Sequence, residues 1–180
     1  EMFLGPLEQY KPWNTNGITG VHTFLKKIWN LLHTDDNQLS ISEAEATKEE
    51  LRLLHGLIRK IEDDIEKLSF NTSVPAFMIF TNEMQRLKCN KRAIWESAII
   101  CLSPYAPHIS EELWYAFGHS ESIFKAAFPQ WNAEMLEVDE VHYPIQINGK
   151  TSSTTLTFPA GLDKNALEAA VKAHPEFEHL

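Results

Sequence analysis

From residue 17 onward, apolar residues recur on a helical period. Ile18, Val21, Phe24, Leu25, Ile28, Trp29 and Leu32 form one wide stripe, which predicts a helix over 17–33 opened by polar Asn14, Thr15 and Asn16. Residues 34–47 read as a polar, mostly acidic loop carrying Asp35, Asp36, Glu43 and Glu45. Thr47 and Glu50 then make a T-x-x-E capping box, and Leu51, Leu54, Ile58, Ile61, Ile65 and Leu68 alternate by three and four along a helix over 48–69. A third helix is expected from Thr72 or Ser73, with Pro75 in its first turn and Phe77, Met78, Met84 and Leu87 inward. A fourth runs from about Lys91 through Trp95, Ala98, Ile99 and Leu102 and stops before Pro104. Pro107 opens a fifth, carrying Ile109, Leu113, Trp114 and Phe117 and stopped by Gly118. Five apolar-faced helices with short joints predict a mainly α protein, an antiparallel helical bundle.

After residue 133 the period changes. Glu134, Glu137, Asp139 and Glu140 form an acidic connector, and then Val141, Tyr143, Ile145 and Ile147 alternate. Asn148-Gly149 is a two-residue hairpin signal, with Leu156 and Phe158 on the returning strand. That turn sets 147 opposite 150 and 141 opposite 156. Asp163 is placed to cap a short helix through about Ala173, with Leu167, Ala170 and Val171 inward. A hairpin and one helix bury little, so this piece reads as a truncated α+β domain. The expected division is a bundle over 1–133, a connector over 134–140 and a partial domain over 141–180.

Composition narrows the function. Hydrophobic residues at 43% and charged residues at 23% exclude a disordered chain. No apolar run approaches the roughly 18 residues that a spanning helix needs, so no membrane role is expected. The chain begins at Glu1 with no charged-then-apolar leader, which reads as a piece of a longer protein without a signal peptide. Cys89 and Cys101 have no C-x-x-C partner and fit reduced thiols in a cytoplasmic protein. A net charge of −9 disfavours a stand-alone nucleic-acid binder, because phosphate contact is mainly electrostatic. Any such role must come from local patches.

Most motif matches dissolve on inspection. INGKTS at 147–152 ends like a phosphate-binding loop, but Pro144 stands where that loop needs glycine, and a strand follows where it needs a helix. His108 and Glu112 share a helix face without a third metal ligand. Asn71-Thr72-Ser73 matches a glycosylation sequon, and helix capping accounts for it better. No catalytic or metal site is expected. One cluster stands out: Arg86, Lys88, Lys91 and Arg92 put four cations within seven residues at a helix–helix joint. Lys26 and Lys27 could extend it, and Lys150 is a weaker candidate. A solvated turn is the plain reading of such a run; contact with a nucleic-acid backbone is the other.

Several phrases go further. GPLEQYKPWNT at 5–15, GITGVHTFLKKIWNLL at 17–32, DIEKLSFNTSVPAFMIFTNEM at 64–84 and LSPYAPHISEELWYAFG at 102–118 resemble the anticodon-binding helical domain of bacterial leucyl-tRNA synthetases, and the resemblance covers nearly the whole chain. The last two phrases, with FNT at 70–72 and PYAPHISEELW at 104–114, also resemble isoleucyl, valyl and methionyl relatives more loosely, whereas the opening phrase and IQINGK resemble the leucyl family alone. The resemblance implies a class I ligase that joins leucine to tRNA(Leu) with ATP and Mg through an adenylate. It places the catalytic and editing domains outside this chain, so the chain itself should be inactive and hold no cofactor. It also implies that the bundle supports the tRNA. Two departures remove positive charge: Thr23 stands where arginine is common in the family, and Thr151, Ser152 and Ser153 stand where a basic pair is common. The alternative from another class is a helical protein-interaction module without RNA binding, in keeping with the acidic balance.

Overall fold

The computed structural model describes residues 2–12, 15, 17–137, 140–147, 150–159, 164–172 and 174, with the backbone alone at Phe3, 140–147, 150–155, 159 and 172. The chain divides into two compact units, Glu1–Leu136 and Glu137–Leu180.

The first unit is built on α1 (Ile18–Leu32), α2 (Lys48–Glu66), α3 (Phe70–Arg86), α4 (Arg92–Leu102) and α5 (Pro107–Ala116). α2 packs on both α3 and α4, α1 packs on α3, and α5 packs on α4. Their shared core includes Phe24, Ile28, Ile58, Ile61, Phe77, Met84, Trp95, Ile99 and Leu113. Phe80 lies edge-on to Trp95 with ring centroids 5.7 Å apart. The inward face of α3 therefore differs from the expected one: Val74, Phe80 and Thr81 are buried with Phe77 and Met84, while Met78 and Leu87 are half-buried.

α2 starts at its capping box. The Glu50 amide donates to Thr47 Oγ1 at 3.3 Å, and the Thr47 amide donates to Glu50 Oε2 at 2.6 Å. The helix ends three residues before the expected 69. Leu68 takes a left-handed backbone (φ 55°), and the Leu68 and Ser69 amides turn back onto the Ile65 and Asp64 carbonyls. Leu68 is consequently exposed rather than part of the seam. α3 then begins at Phe70, before Thr72, which places Pro75 inside the helix and not in its first turn. The hydroxyls expected to cap α3 are engaged elsewhere. Thr72 Oγ1 donates to Asp64 Oδ1 at 2.7 Å, and Ser73 Oγ donates to Asp64 Oδ2 at 3.0 Å. Lys60 also donates to Asp64, and the Tyr105 hydroxyl donates to Ser73 Oγ at 2.8 Å. One buried carboxylate thus ties α2 to α3 and to the α4–α5 joint.

Pro107 occupies the first position of α5, where its missing N–H costs nothing, and Gly118 follows the helix at φ 96°. Cys89 and Cys101 are free and buried, and burial pushes their thiols up to about 11 and about 12. The expected acidic connector is partly structured. Ala133–Leu136 forms a 3-10 turn on α2, the Asn132 amide donates to His55 Nδ1 at 3.1 Å, and Trp131 Nε1 donates to Glu62 Oε2 at 2.8 Å. Arg59 lies over the Trp131 ring, 5.1 Å from its centroid. Burial lowers the His55 pKa, which keeps the ring nitrogen free to accept.

In the second unit, β1 (Glu140–Ile147) pairs antiparallel with β2 (Lys150–Pro159), and α6 (Lys164–Lys172) follows. Ile147 pairs with Lys150 as expected, but Val141 pairs with Phe158 and not with residue 156. Between Pro144↔Thr155 and Gln146↔Thr151, β2 spends two more residues than β1. The irregularity sits beside Pro144, which has no N–H to give to a regular ladder. The shift sets apolar residues directly opposite one another, Val141 with Phe158 and Tyr143 with Leu156. The Asn148-Gly149 turn and the Asp163 cap lie outside the described residues.

Candidate nucleic-acid interface

The basic cluster spans the end of α3, the joint that follows and the start of α4. The joint is tight: Lys88 takes a left-handed backbone (φ 51°), the Cys89 amide donates to the Met84 carbonyl at 2.9 Å, and Trp95 Nε1 donates to the Cys89 carbonyl at 2.8 Å. The acidic α1–α2 loop lies along this joint. The Ser42 amide donates to the Asn90 carbonyl at 3.0 Å, the Arg92 amide donates to the Ser42 carbonyl at 2.9 Å, and Asn90 Nδ2 donates to the Ser40 carbonyl at 2.9 Å. The loop that reads in sequence as polar and mostly acidic is therefore a backbone partner of the cluster.

Three of the four cations meet carboxylates there. Lys91 Nζ donates to Glu50 Oε2 at 2.7 Å, with the side chains only 17% and 5% exposed. Burial raises the Glu50 pKa, but the bonds from Lys91, from the Thr47 amide and from neighbouring side chains outweigh it and hold the carboxyl down at about 2. Arg86 donates through Nη2 to Glu49 and through Nε to Glu83 Oε2 at 2.8 Å. Arg92 Nε donates to Glu43 Oε1 at 2.7 Å, and its Nη1 donates to the Phe117 carbonyl at 2.6 Å and lies 3.5 Å from Glu96 Oε1. Lys88 is exposed, and among the described residues no ion pair involves it. The sequence-predicted cluster is thus one free lysine, two surface arginines facing carboxylates and one lysine locked in a buried pair.

α1 contributes as well. Lys27 Nζ donates to Asn82 Oδ1 at 2.7 Å, one turn before Arg86 on α3, and Lys26 beside it is exposed. The side chain of Lys150 lies outside the described residues. His108 and Glu112 are both exposed, and no group of three or more His, Cys, Asp or Glu among the described residues could hold a metal ion. Lys150–Pro159 is a strand, so Gly149-Lys150-Thr151 does not lead into a helix. Sequence reasoning missed Asn82, Glu43, Glu49 and Glu50 as neighbours of the cations. An acidic loop two helices upstream of a basic joint was the available signal, but sequence distance hides the pairing.

Comparison with known proteins gives this geometry its context. Residues 47–165 match the family described as the anticodon-binding domain of tRNA ligase. The chain belongs to this family. The tRNA ligase anticodon-binding segment is 50% identical over 173 residues to a leucine–tRNA ligase of Bacteroides thetaiotaomicron and 51% identical over 174 residues to one of Parabacteroides distasonis. These matches cover 96% and 97% of the chain, which spans 18% of the length of each relative. Its fold is also similar to a leucyl-tRNA synthetase of Agrobacterium radiobacter K84, solved as a ternary complex with tRNA and LeuAMS. That likeness has a TM-score of 0.71 at 25% identity and covers 98% of this chain and 25% of that one. Among the described residues no helix is long and apolar enough to cross a membrane.

Proposed function

We propose that this chain is the tRNA-supporting segment of a cytoplasmic leucine–tRNA ligase. The observation that carries the reading is half-identity to leucine–tRNA ligases along nearly the full chain, joined to the anticodon-binding family match. In the complete enzyme, leucine, ATP and Mg are handled by catalytic and editing domains outside this segment. The segment contributes a rigid helical surface that holds tRNA(Leu) through its sugar–phosphate backbone. Lys88 and Lys26 are the first candidates for that contact, since they are exposed and, among the described residues, no carboxylate pairs with them. Arg86, Arg92 and Lys27 border them, while Lys91 serves the fold. Alone, the segment forms no leucyl-adenylate.

A chimera tests this reading. The matching stretch of the Bacteroides thetaiotaomicron enzyme is replaced by this chain, and leucylation of tRNA(Leu) is measured. The expected kcat/KM lies within about tenfold of the parent, and Lys88→Ala with Lys26→Ala in the chimera raises KM for tRNA more than it lowers kcat. A soluble, folded chimera that still forms leucyl-adenylate but charges no tRNA overturns the proposal, as does adenylate formation by the isolated chain.

A further inference from the structure

We propose that Glu43 and Glu49 are placeholders for RNA phosphates: they occupy the outward donors of Arg92 and Arg86 until a tRNA backbone displaces them. This rests on the reading of the chain as a tRNA-supporting segment.

Arg92 has an inner set of contacts and an outer one, and Arg86 has one partner on its own helix and one on α2. Arg92 is anchored inward by the Phe117 carbonyl at 2.6 Å, by Glu96 at 3.5 Å and by the Phe117 ring, whose centroid is 5.7 Å from the guanidinium carbon. Arg86 is anchored by Glu83 on its own helix at 2.8 Å. The outer partners come from a different part of the chain, and their side chains are 71% exposed for Glu43 and 43% exposed for Glu49. Exposed pairs of this kind contribute little, because water and salt screen them. An arginine fork matches a phosphate as well as a carboxylate, and RNA adds the release of its condensed counterions. The exchange leaves the backbone in place. Ser42 stays bonded to Asn90 and Arg92 through main-chain atoms, so only the two glutamate side chains swing away. The Lys91–Glu50 pair is buried within the capping box and takes no part. Lys88, between the two arginines in sequence, offers first contact. This arrangement presents fixed guanidinium groups while keeping a chain of net charge −9 free of an open basic patch.

The test measures binding of a tRNA(Leu) transcript to the full 180-residue chain between roughly 50 and 200 mM salt. The variant Glu43→Gln/Glu49→Gln should bind about tenfold more tightly at the low end, and its log–log salt slope should steepen by ~1.5, the amount for two added phosphate contacts. Glu43→Gln alone, at an exposed loop position, should give about half that steepening. Glu121→Gln/Glu168→Gln makes the same change in net charge at the Lys125 and Lys164 pairs and should alter neither quantity. Adding Arg86→Ala and Arg92→Ala to the first variant should abolish the gain. An equal gain in the control pair reduces the effect to net charge and overturns the inference. Salt-dependent binding by the parent that is unchanged by the glutamate substitutions also overturns it, and leaves the tRNA-supporting reading standing. Absence of binding by every variant defeats both.

Discussion

Glu50 in the first turn of α2 and Asp64 in its last turn are both buried, at 4% and 2% exposure. Glu50 sits where the free amides and the positive end of the helix dipole favour an anion, and a lysine from the α3–α4 joint completes its shell. Asp64 sits at the unfavourable end of α2 but faces the first turns of α3, where two hydroxyls and Lys60 surround it. The same helix therefore pins two different joints with two different chemistries. At one end a largely buried lysine from another joint neutralises the charge; at the other, an exposed lysine of the same helix shares it with two oriented O–H groups. Among the described residues no buried side-chain nitrogen or oxygen lacks a partner, which offsets the cost of burying both carboxylates.

The contrast is sharpest when Lys91 is removed. Lys91→Met should cost ~3–5 kcal/mol at neutral pH, because it strands a buried carboxylate, and the cost should shrink in acid once Glu50 takes up a proton. Urea unfolding at several pH values reads both effects; a small, pH-independent loss would mean that water or another group replaces the lysine. Acid titration of the parent is the next largest effect. Glu50 is held at about 2 in the fold against 4.5 for the ordinary group, so its contribution is complete above 4.5 and is lost as pH falls toward about 2. That contribution is ~3 kcal/mol, and the Glu50→Gln variant should lose that part of the pH slope. At the other end, Ser73→Ala removes a donor from Asp64 and the acceptor of the Tyr105 hydroxyl, and should cost ~1–3 kcal/mol. The smallest effect belongs to Tyr105→Phe, about 1 kcal/mol, because Ser73 keeps its bond to Asp64. If Tyr105→Phe proved as costly as Ser73→Ala, the hydroxyls would be acting as one cooperative network and not as separate bonds.

Where the sequence is explicit, local chemistry decides the outcome. Thr47-x-x-Glu50, Pro107 and Gly118 mark helix ends through groups within a few residues, and the structure follows them. It departs from expectation where a distant partner takes over. Thr72 and Ser73 have the right identity for caps, yet Asp64 on the preceding helix claims them, so α3 begins earlier and Pro75 falls inside it. Leu68 fits the hydrophobic period but occupies a left-handed position that sequence rules reserve for glycine. The hairpin register slipped beside Pro144, whose missing donor was visible but whose remedy on β2 was not. The basic cluster shows the same limit: four cations are legible in the chain, whereas the carboxylates facing three of them come from residues 43–50 and from the cluster's own helices.

The two cysteines turn α4 into a helix with a built-in clock at each end. Cys89 lies just before it and Cys101 in its last turn, both buried, with thiols raised to about 11 and about 12. At neutral pH the reactive thiolate is on the order of one molecule in ten thousand or fewer, so a thiol reagent attacks neither site in the closed bundle at a useful rate. Labelling must wait for an opening that exposes the sulfur. The ratio of the two labelling rates then tells whether the α3–α4 joint, with its layered carboxylates and cations, parts before the far end of α4 or together with it.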